Sequence, residues 1–202
     1  GDMFQGTPYF NYFKGELMLK VMSEAGYDAS TIGNHEFDNP IHVLREQMDL
    51  AKFPFLSANV KTKNGDHLAI PFIIKQFSGF TVAIFGLTPV ETKITGNPDH
   101  IKALIFEDEI EVAKQLVPYL KKRADVVIAL THLGIYEGLN RGSKRLATRV
   151  SGIDLIVDGN TDTKLEAPLM INDPDSTHQT FIVQAWHWGL VLGKIDLWIR
   201  DK

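Results

Sequence analysis

A short apolar run and a glycine turn meet in the stretch Ala29-Ser30-Thr31-Ile32-Gly33-Asn34-His35-Glu36-Phe37-Asp38. The first four residues are typical of a short strand. The six that follow place an amide oxygen, an imidazole and two carboxylates directly after that strand. Oxygen and nitrogen donors at strand ends are what a site for hard or borderline divalent metal ions needs. The stretch therefore predicts a strand that ends in a candidate metal site.

Two more segments place a possible metal ligand in a turn or directly after an apolar run. Asp2 lies in a glycine-rich turn over residues 1–6, and His132 directly follows an apolar run. Strand ends can meet at one edge of a sheet, so Asp2, Asn34 and His132 can come together although they are far apart in sequence. Singly, each has a plainer explanation, because an Asp in such a turn usually caps backbone amides and a His after a strand is usually a core residue. Three in order on one architecture favour the metal site.

Helical spacing of apolar residues predicts three helices, over 13–25, 43–51 and 110–120, and a fourth around 146–150. Gly26 is expected to end the first helix, and Asn39-Pro40 to begin the second. Pro118 predicts a kink or an early end in the third. Apolar runs alternate with these helices, which is typical of an α/β domain.

Strands are predicted at 29–32, 53–58, 71–77, 80–87, 125–130 and 153–157. Residues 71–77 and 80–87 are expected to form a hairpin across Ser78-Gly79. A last hairpin is predicted between 180–185 and 190–199. Its turn contains Trp186-His187-Trp188, where packing of the two indoles on the sheet edge is favoured over an aromatic lid near the site. No linker interrupts the chain, so a single domain over 1–202 is the simplest interpretation.

Composition excludes several classes of function. The 202 residues carry a formal charge of −4, with 44% hydrophobic and 23% charged residues, as in ordinary globular proteins. This balance argues against a nucleic-acid polymer or an anionic membrane surface as partner. Cysteine is absent, which rules out disulfides and thiolate ligands. No apolar run approaches the roughly 20 residues of a membrane span.

Further motifs follow the first three in a fixed order. They are Leu56-Ser57-Ala58-Asn59-Val60, Gly86-Leu87-Thr88, Asp154-Leu155-Ile156-Val157-Asp158-Gly159, Val183-Gln184-Ala185 and Leu192-Gly193-Lys194-Ile195-Asp196-Leu197. With these motifs the chain resembles the calcineurin-like metallophosphoesterases. Within them it resembles the N-terminal catalytic domain of the 5′-nucleotidase and 2′,3′-cyclic nucleotide phosphodiesterase family.

The resemblance implies a four-layer α-β-β-α sandwich of two mixed sheets flanked by helices. The family's first strand, with an Asp-x-His that supplies two ligands, would precede Gly1, so this strand is expected to be missing. A C-terminal nucleotide-binding domain is likewise expected to be absent. An exposed sheet edge would then predict partner contacts, including a homo-oligomer. The resemblance also implies a periplasmic, secreted or cell-surface location.

Site roles follow from the same resemblance. Asp2 would bridge two metal ions, and Asn34 and His132 would ligate the second. His35 would lie beside the phosphate and stabilise transition-state charge, with Asp38 orienting its ring. The implied reaction is hydrolysis of a nucleotide or a small phosphate ester by metal-activated water.

One motif departs from the family. After Asp158-Gly159 the family has His-x-His or His-x-Gln, whereas this chain has Asn160-Thr161-Asp162. Asn160 would replace a second-metal ligand and Asp162 a first-metal ligand. A retained site would favour Mg²⁺, Mn²⁺ or Ca²⁺ over Zn²⁺. A degenerate site would make this segment an ordinary polar turn.

Counting the ligands predicts that at most one metal ion binds well. Two functions therefore stay open. One is metal-dependent phosphoesterase activity. The alternative is a degenerate family member that binds metal, nucleotide or a protein partner without turnover.

Overall fold

The computed structural model describes residues 1–5, 8–174 and 178–198. Its helices are α1 Pro8–Phe13, α2 Glu16–Glu24, α3 Ile41–Leu50, α4 Thr92–Thr95, α5 Pro98–Ile101, α6 Glu109–Lys121 and α7 Gly142–Arg149, with a 3₁₀ turn at His35–Phe37. Its strands are β1 Ser30–Thr31, β2 Phe55–Leu56, β3 Val60–Thr62, β4 Phe72–Phe77, β5 Phe80–Leu87, β6 Leu104–Phe106, β7 Val126–Thr131, β8 Leu155–Val157, β9 Leu169–Asn172 and β10 Gln179–Val183.

The main sheet has six strands in the order β4-β5-β7-β8-β10-β9. The four central strands run parallel to one another, and β4 and β9 are antiparallel at the two edges. Two short pairs accompany this sheet, β1 with β2 in parallel and β3 with β6 in antiparallel orientation. The mixed α/β architecture predicted from the sequence is confirmed, although the second sheet is represented only by short pairs.

Two apolar cores show how the layers are arranged. One packs α6 and α7 against the main sheet and includes Phe85, Leu87 and Val117. The other packs α2 and α3 against β1 and β2. Side chains alternate along a strand, so a side chain at Gly86 would point to the sheet face opposite to that of Phe85 and Leu87. A Cβ built at Gly86 lies 2.2 Å from the Leu56 carbonyl oxygen. The β1–β2 pair therefore lies on the sheet face opposite to α6 and α7.

Most of the predicted elements are confirmed. The strands at 71–77, 80–87, 125–130 and 153–157 occur within one or two residues of the predicted bounds, and the first two form the expected hairpin. The predicted strands at 29–32 and 53–58 shorten to two residues each. The third helix continues past Pro118 to Lys121 without an early end.

The first predicted helix, over 13–25, is confirmed as α2, which starts three residues later and ends before Gly26. Gly15 has a left-handed φ of 87° and, next to Lys14 at a positive φ of 50°, turns the chain between α1 and α2. The buried face differs from the predicted one, because α2 buries Leu19 and Met22 whereas Leu17 and Val21 are exposed.

The predicted C-terminal hairpin is also wrong. Residues 190–198 form no strand, and Leu192 and Trp198 are almost fully exposed. The reason is that both edges of β10 are already paired, one with β8 and the other with the unpredicted strand β9. Residue 199 of the predicted range lies outside the described residues.

Among the described residues, none of the helices combines the length and the apolar character that crossing a bilayer requires.

Candidate functional site

Asp2 is at the centre of the polar residues that the sequence singled out. Its Oδ2 lies 2.7 Å from Nε2 of His132, and its Oδ1 accepts a hydrogen bond from the backbone N–H of His35 at 2.9 Å. Burial opposes ionisation of this carboxyl, but the hydrogen bond and charge of His132 and the N–H of His35 outweigh it. The pKa of Asp2 is therefore lowered. One carboxylate thus joins residues 33 and 130 positions away.

His35 and Asp38 form a closed pair in the 3₁₀ turn. Nδ1 of His35 lies 2.7 Å from Oδ2 of Asp38, and both side chains are partly accessible to solvent. The three-residue spacing therefore allows the contact that the sequence predicted. Nδ1 faces the carboxylate, so the opposite ring nitrogen, Nε2, takes no part in this contact.

Glu36 is a residue of this turn to which the sequence assigned no role. Its side chain is completely buried, with 0% exposure. Oε2 accepts from the backbone N–H groups of Asp2 at 2.8 Å and Gly33 at 2.6 Å, and Oε1 accepts from that of Met3 at 2.6 Å. The carboxylate therefore fastens the Asp2 turn to the turn that carries Asn34 and His35.

His132 is held in place through its neighbours. Oδ1 of Asp158 accepts hydrogen bonds from Thr131 Oγ1 at 2.7 Å, Leu133 N at 2.9 Å and Gly134 N at 3.2 Å. Burial raises the pKa of Asp158 above its ordinary value, although these bonds act in the opposite direction. Asp158 is therefore a support for the His132 loop that the sequence identified only as part of a motif.

The raised pKa of Asp158 predicts a pH dependence. Protonation is favoured in the folded state, so this group contributes stability at pH below about 3.8, its ordinary value, and loses that contribution as pH rises through the raised folded pKa. Asp158→Asn keeps the Oδ1 acceptor. The stability advantage of the parent chain over this variant is expected to shrink between pH 4 and pH 8, as measured by urea unfolding. Asp66→Asn, at an exposed position, is the control, and an advantage that grows with pH would contradict the expectation.

Asn34 and Asn160 both line one small cavity of about 160 Å³ beside this cluster. Asn160 has a left-handed φ of 81°, and Asp2 one of 60°. Such a backbone costs residues other than glycine roughly 1–2 kcal/mol, less for Asn and Asp. The structure therefore brings both amides to the same place and holds the Asn160 turn in a strained form.

Asp162 lies in a different environment. Its carboxylate is 3.4 Å from Nδ1 of His187, whose ring lies between those of Trp186 and Trp188. Trp188 is 73% exposed, so the predicted packing of both indoles on the sheet edge is wrong. The strained turn, with positive φ at both tryptophans, turns these rings away from the core. Asp162 therefore lies near His187, and among the described residues it makes no hydrogen bond or ion pair with Asp2 or His132.

A buried network of hydrogen bonds connects the strand ends near the site. Asn59 donates to the carbonyls of Thr88 and Glu107 and accepts from the Thr88 N–H. Thr88 Oγ1 in turn contacts Ser57 Oγ and donates to the Ile32 carbonyl. These bonds tie the ends of β1, β2 and β5 together. Two of the sequence motifs, around Ser57 and Thr88, are thereby explained as structural supports.

A comparison with known protein families shows to which family the chain belongs. A family model described as calcineurin-like phosphoesterase matches residues 1–161. The chain belongs to this family. Calcineurin-like phosphoesterases use divalent metal ions, and the oxygen and nitrogen donors around Asp2 are of the kind that bind such ions.

Individual proteins similar to this chain are named as nucleotidases. A 5′-nucleotidase of Vibrio cholerae is 37% identical over 222 residues, covering 100% of this chain and 40% of that protein. The crystal structure of a 5′-nucleotidase precursor from Thermus thermophilus is 32% identical, with a TM-score of 0.79 over 94% of this chain and 39% of that one. The NAD nucleotidase of Haemophilus influenzae is 30% identical, with a TM-score of 0.78 over 92% of this chain and 35% of that one. This chain thus spans less than half the length of each relative.

The donor set fits one divalent ion better than two. His132 is only 3% exposed; its Nε2 contacts Asp2, and its Nδ1 has no hydrogen-bond partner within the described part of the chain. Two atoms that ligate one ion lie roughly 3 Å apart, close to the 2.7 Å between Asp2 and His132. Yet the described residues contain no group of three His, Asp or Glu side chains that could hold a metal ion. Amide oxygens from Asn34 and Asn160 would have to complete the site.

Proposed function

We propose that this domain hydrolyses phosphate esters of nucleotides or of similar small molecules in a reaction that depends on a divalent metal ion. The observation that carries the proposal is the position of Asp2. Its carboxylate contacts His132 on one side and the backbone of His35 on the other. The two side chains that would ligate the ion therefore lie close to the His35–Asp38 pair, an arrangement that supports metal-assisted phosphoryl transfer.

Asp2, Asn34, His132 and Asn160 are the residues that would hold the ion. Three of the four offer oxygen donors, which favours Mg²⁺, Mn²⁺ or Ca²⁺ over Zn²⁺. When bound, the ion would supply Lewis-acid polarisation of the phosphoryl oxygens and would acidify the attacking water.

His35 would act on the phosphoryl group. Its Nδ1 is committed to Asp38, which orients the ring and favours a proton on that nitrogen. When protonated, the opposite nitrogen, Nε2, can donate a hydrogen bond to a phosphoryl oxygen and pass its proton to the leaving oxygen. Glu36 fixes where this occurs, because it binds the turns of both Asp2 and His35 through backbone N–H groups.

Nucleotides are the substrate class that the names of the relatives support, since these are a 5′-nucleotidase, a 5′-nucleotidase precursor and a NAD nucleotidase. The family resemblance is likewise what supports a location outside the cytoplasm.

One observation favours a second candidate, a domain that binds metal, nucleotide or a protein partner without turnover. Asp162 lies 3.4 Å from His187, and the described residues contain no group of three His, Asp or Glu side chains that could hold an ion. A phosphoesterase that needs two ions would then be inactive.

The test is turnover of a generic aryl phosphate ester with and without Mn²⁺, together with the metal content per chain from elemental analysis. We expect Mn²⁺-stimulated hydrolysis, and a loss of about 10²–10³-fold in kcat on His35→Ala, because the donor to the developing charge is removed. His42→Ala, which changes an exposed histidine on α3, is the matched control and should keep full activity.

If the chain binds Mn²⁺ but shows no turnover above buffer, the hydrolase proposal fails for this domain and the binding candidate takes its place. A His35→Ala variant as active as the control would remove the His35–Asp38 pair from the mechanism.

A further inference from the structure

The small cavity beside the candidate metal centre has features that the proposed reaction does not use. Besides Asn34 and Asn160, its lining includes Thr92, Tyr136 and Arg141. A cavity of about 160 Å³ is large enough for a group the size of phosphate.

Arg141 is the cationic group of this lining. Its guanidinium lies 4.1 Å from the centre of the Tyr136 ring, a stacking arrangement that holds the plane in place. Within residues 1–5, 8–174 and 178–198 it makes no ion pair, whereas its neighbour Arg145 contacts both Asp108 and Glu109. Arg141 is therefore an exposed cation, in contact with Tyr136, whose charge is available to a ligand.

A buried hydroxyl supplies a second, independent observation. Thr92 has 0% exposure, and within the described part of the chain its Oγ1 has no hydrogen-bond partner. A buried hydroxyl without a partner is unfavourable, so a ligand that accepts a hydrogen bond from it would be stabilised. Because Thr92 lines the same cavity as Arg141, both point to an acceptor-rich anion.

The lining carries charges of both signs. Glu91, which is exposed like Arg141, is the carboxylate in the lining and opposes the guanidinium.

We propose that this cavity is an anion subsite that binds a phosphoryl group through Arg141 and Thr92, next to the residues Asn34 and Asn160. The identity of the anion rests on the proposed phosphoesterase function. Two sources share this chemistry. One is the inorganic phosphate released by the reaction, and the other is a second phosphoryl group of a diphosphate substrate.

The test is calorimetric titration of the metal-stripped domain with inorganic phosphate and, separately, with methylenediphosphonate. Arg141→Ala is expected to weaken binding about tenfold or more, because a charge-assisted bond is lost. Arg141→Lys should recover part of this loss, and Thr92→Val, which keeps the side-chain volume, should weaken binding about threefold to tenfold. Arg149→Ala, an exposed arginine at the other end of α7, is the matched control and should bind like the parent chain.

If Arg141→Ala weakens binding of the diphosphonate more than binding of phosphate, the subsite holds a second phosphoryl group of the substrate. If it weakens binding of phosphate more, the subsite holds the product. Equal affinities in the parent chain, Arg141→Ala and Arg149→Ala overturn the subsite, and so does the absence of binding to the parent chain. The outcome is separate from that of the proposed function, because binding without metal is measured whether or not the domain turns over an ester.

Discussion

Replacing Glu36 by alanine is expected to destabilise the domain by about 3 kcal/mol or more, because three backbone N–H groups lose their acceptor at once. These groups belong to Asp2, Met3 and Gly33, at 2.6–2.8 Å from the carboxylate. Each one left without a partner in the interior costs about 1–3 kcal/mol, reduced where water reaches the turn of Asp2 and Met3. Urea unfolding measures the change in the free energy of unfolding.

A second variant separates the hydrogen bonds from the packing. Glu36→Gln keeps the shape but presents one NH₂ group, so at least one backbone N–H loses its acceptor, and we expect about 1–3 kcal/mol. Glu46→Gln, at an exposed position on α3, is the control and should stay within about 0.5 kcal/mol of the parent chain. If Glu36→Gln matched this control, the carboxylate would not be what joins the two turns.

The same substitutions should disturb the candidate site beyond their effect on stability. Asp2 and His35 are carried by the two turns that Glu36 fastens together. When the folded fraction is kept constant, kcat of the Glu36→Gln variant is therefore expected to fall while that of the control does not.

The sequence was sufficient for the strand ends and for the contact between His35 and Asp38, because both depend on local order. Apolar runs followed by glycine and polar residues mark where β1 and β7 end, and a spacing of three residues lets a 3₁₀ turn bring His35 to Asp38. Glu36 was different. Nothing in its neighbourhood shows that the turn at Asp2, 34 residues earlier, folds onto it and supplies two of its three donors.

Pairing between distant strands explains the largest error. Residues 190–197 alternate apolar and polar side chains better than Leu169–Asn172 does, yet it is the latter, β9, that pairs with β10. An alternating pattern indicates that a segment can form a strand. It does not show whether the strand beside it still has an unpaired side. The contact of Asp162 with His187 could not be foreseen for a similar reason, since it depends on a turn 25 residues downstream.

Gly86→Ala is expected to produce the second large effect, a destabilisation of about 4 kcal/mol or more or a failure to fold. The added Cβ would lie 2.2 Å from the carbonyl oxygen and 2.3 Å from the carbonyl carbon of Leu56, and backbone atoms cannot move aside as a flexible side chain can. To relieve the overlap, β2 must move away from β5. That movement stretches the bond from the Ala58 N–H to the Gly86 carbonyl, now 2.8 Å, and the network around Thr88 with it.

Gly193→Ala gives the matched control for this prediction. Its Cβ would meet only the Cβ of Ala185, at 3.5 Å, which is an ordinary van der Waals distance, and its position is exposed. Thermal and urea unfolding of the two variants should therefore differ by several kcal/mol although the chemical change is the same. A Gly86→Ala variant as stable as Gly193→Ala would show that β2 does not lie against β5. The layer arrangement that places Asp2 and Asn34 beside His132 would then have to be abandoned.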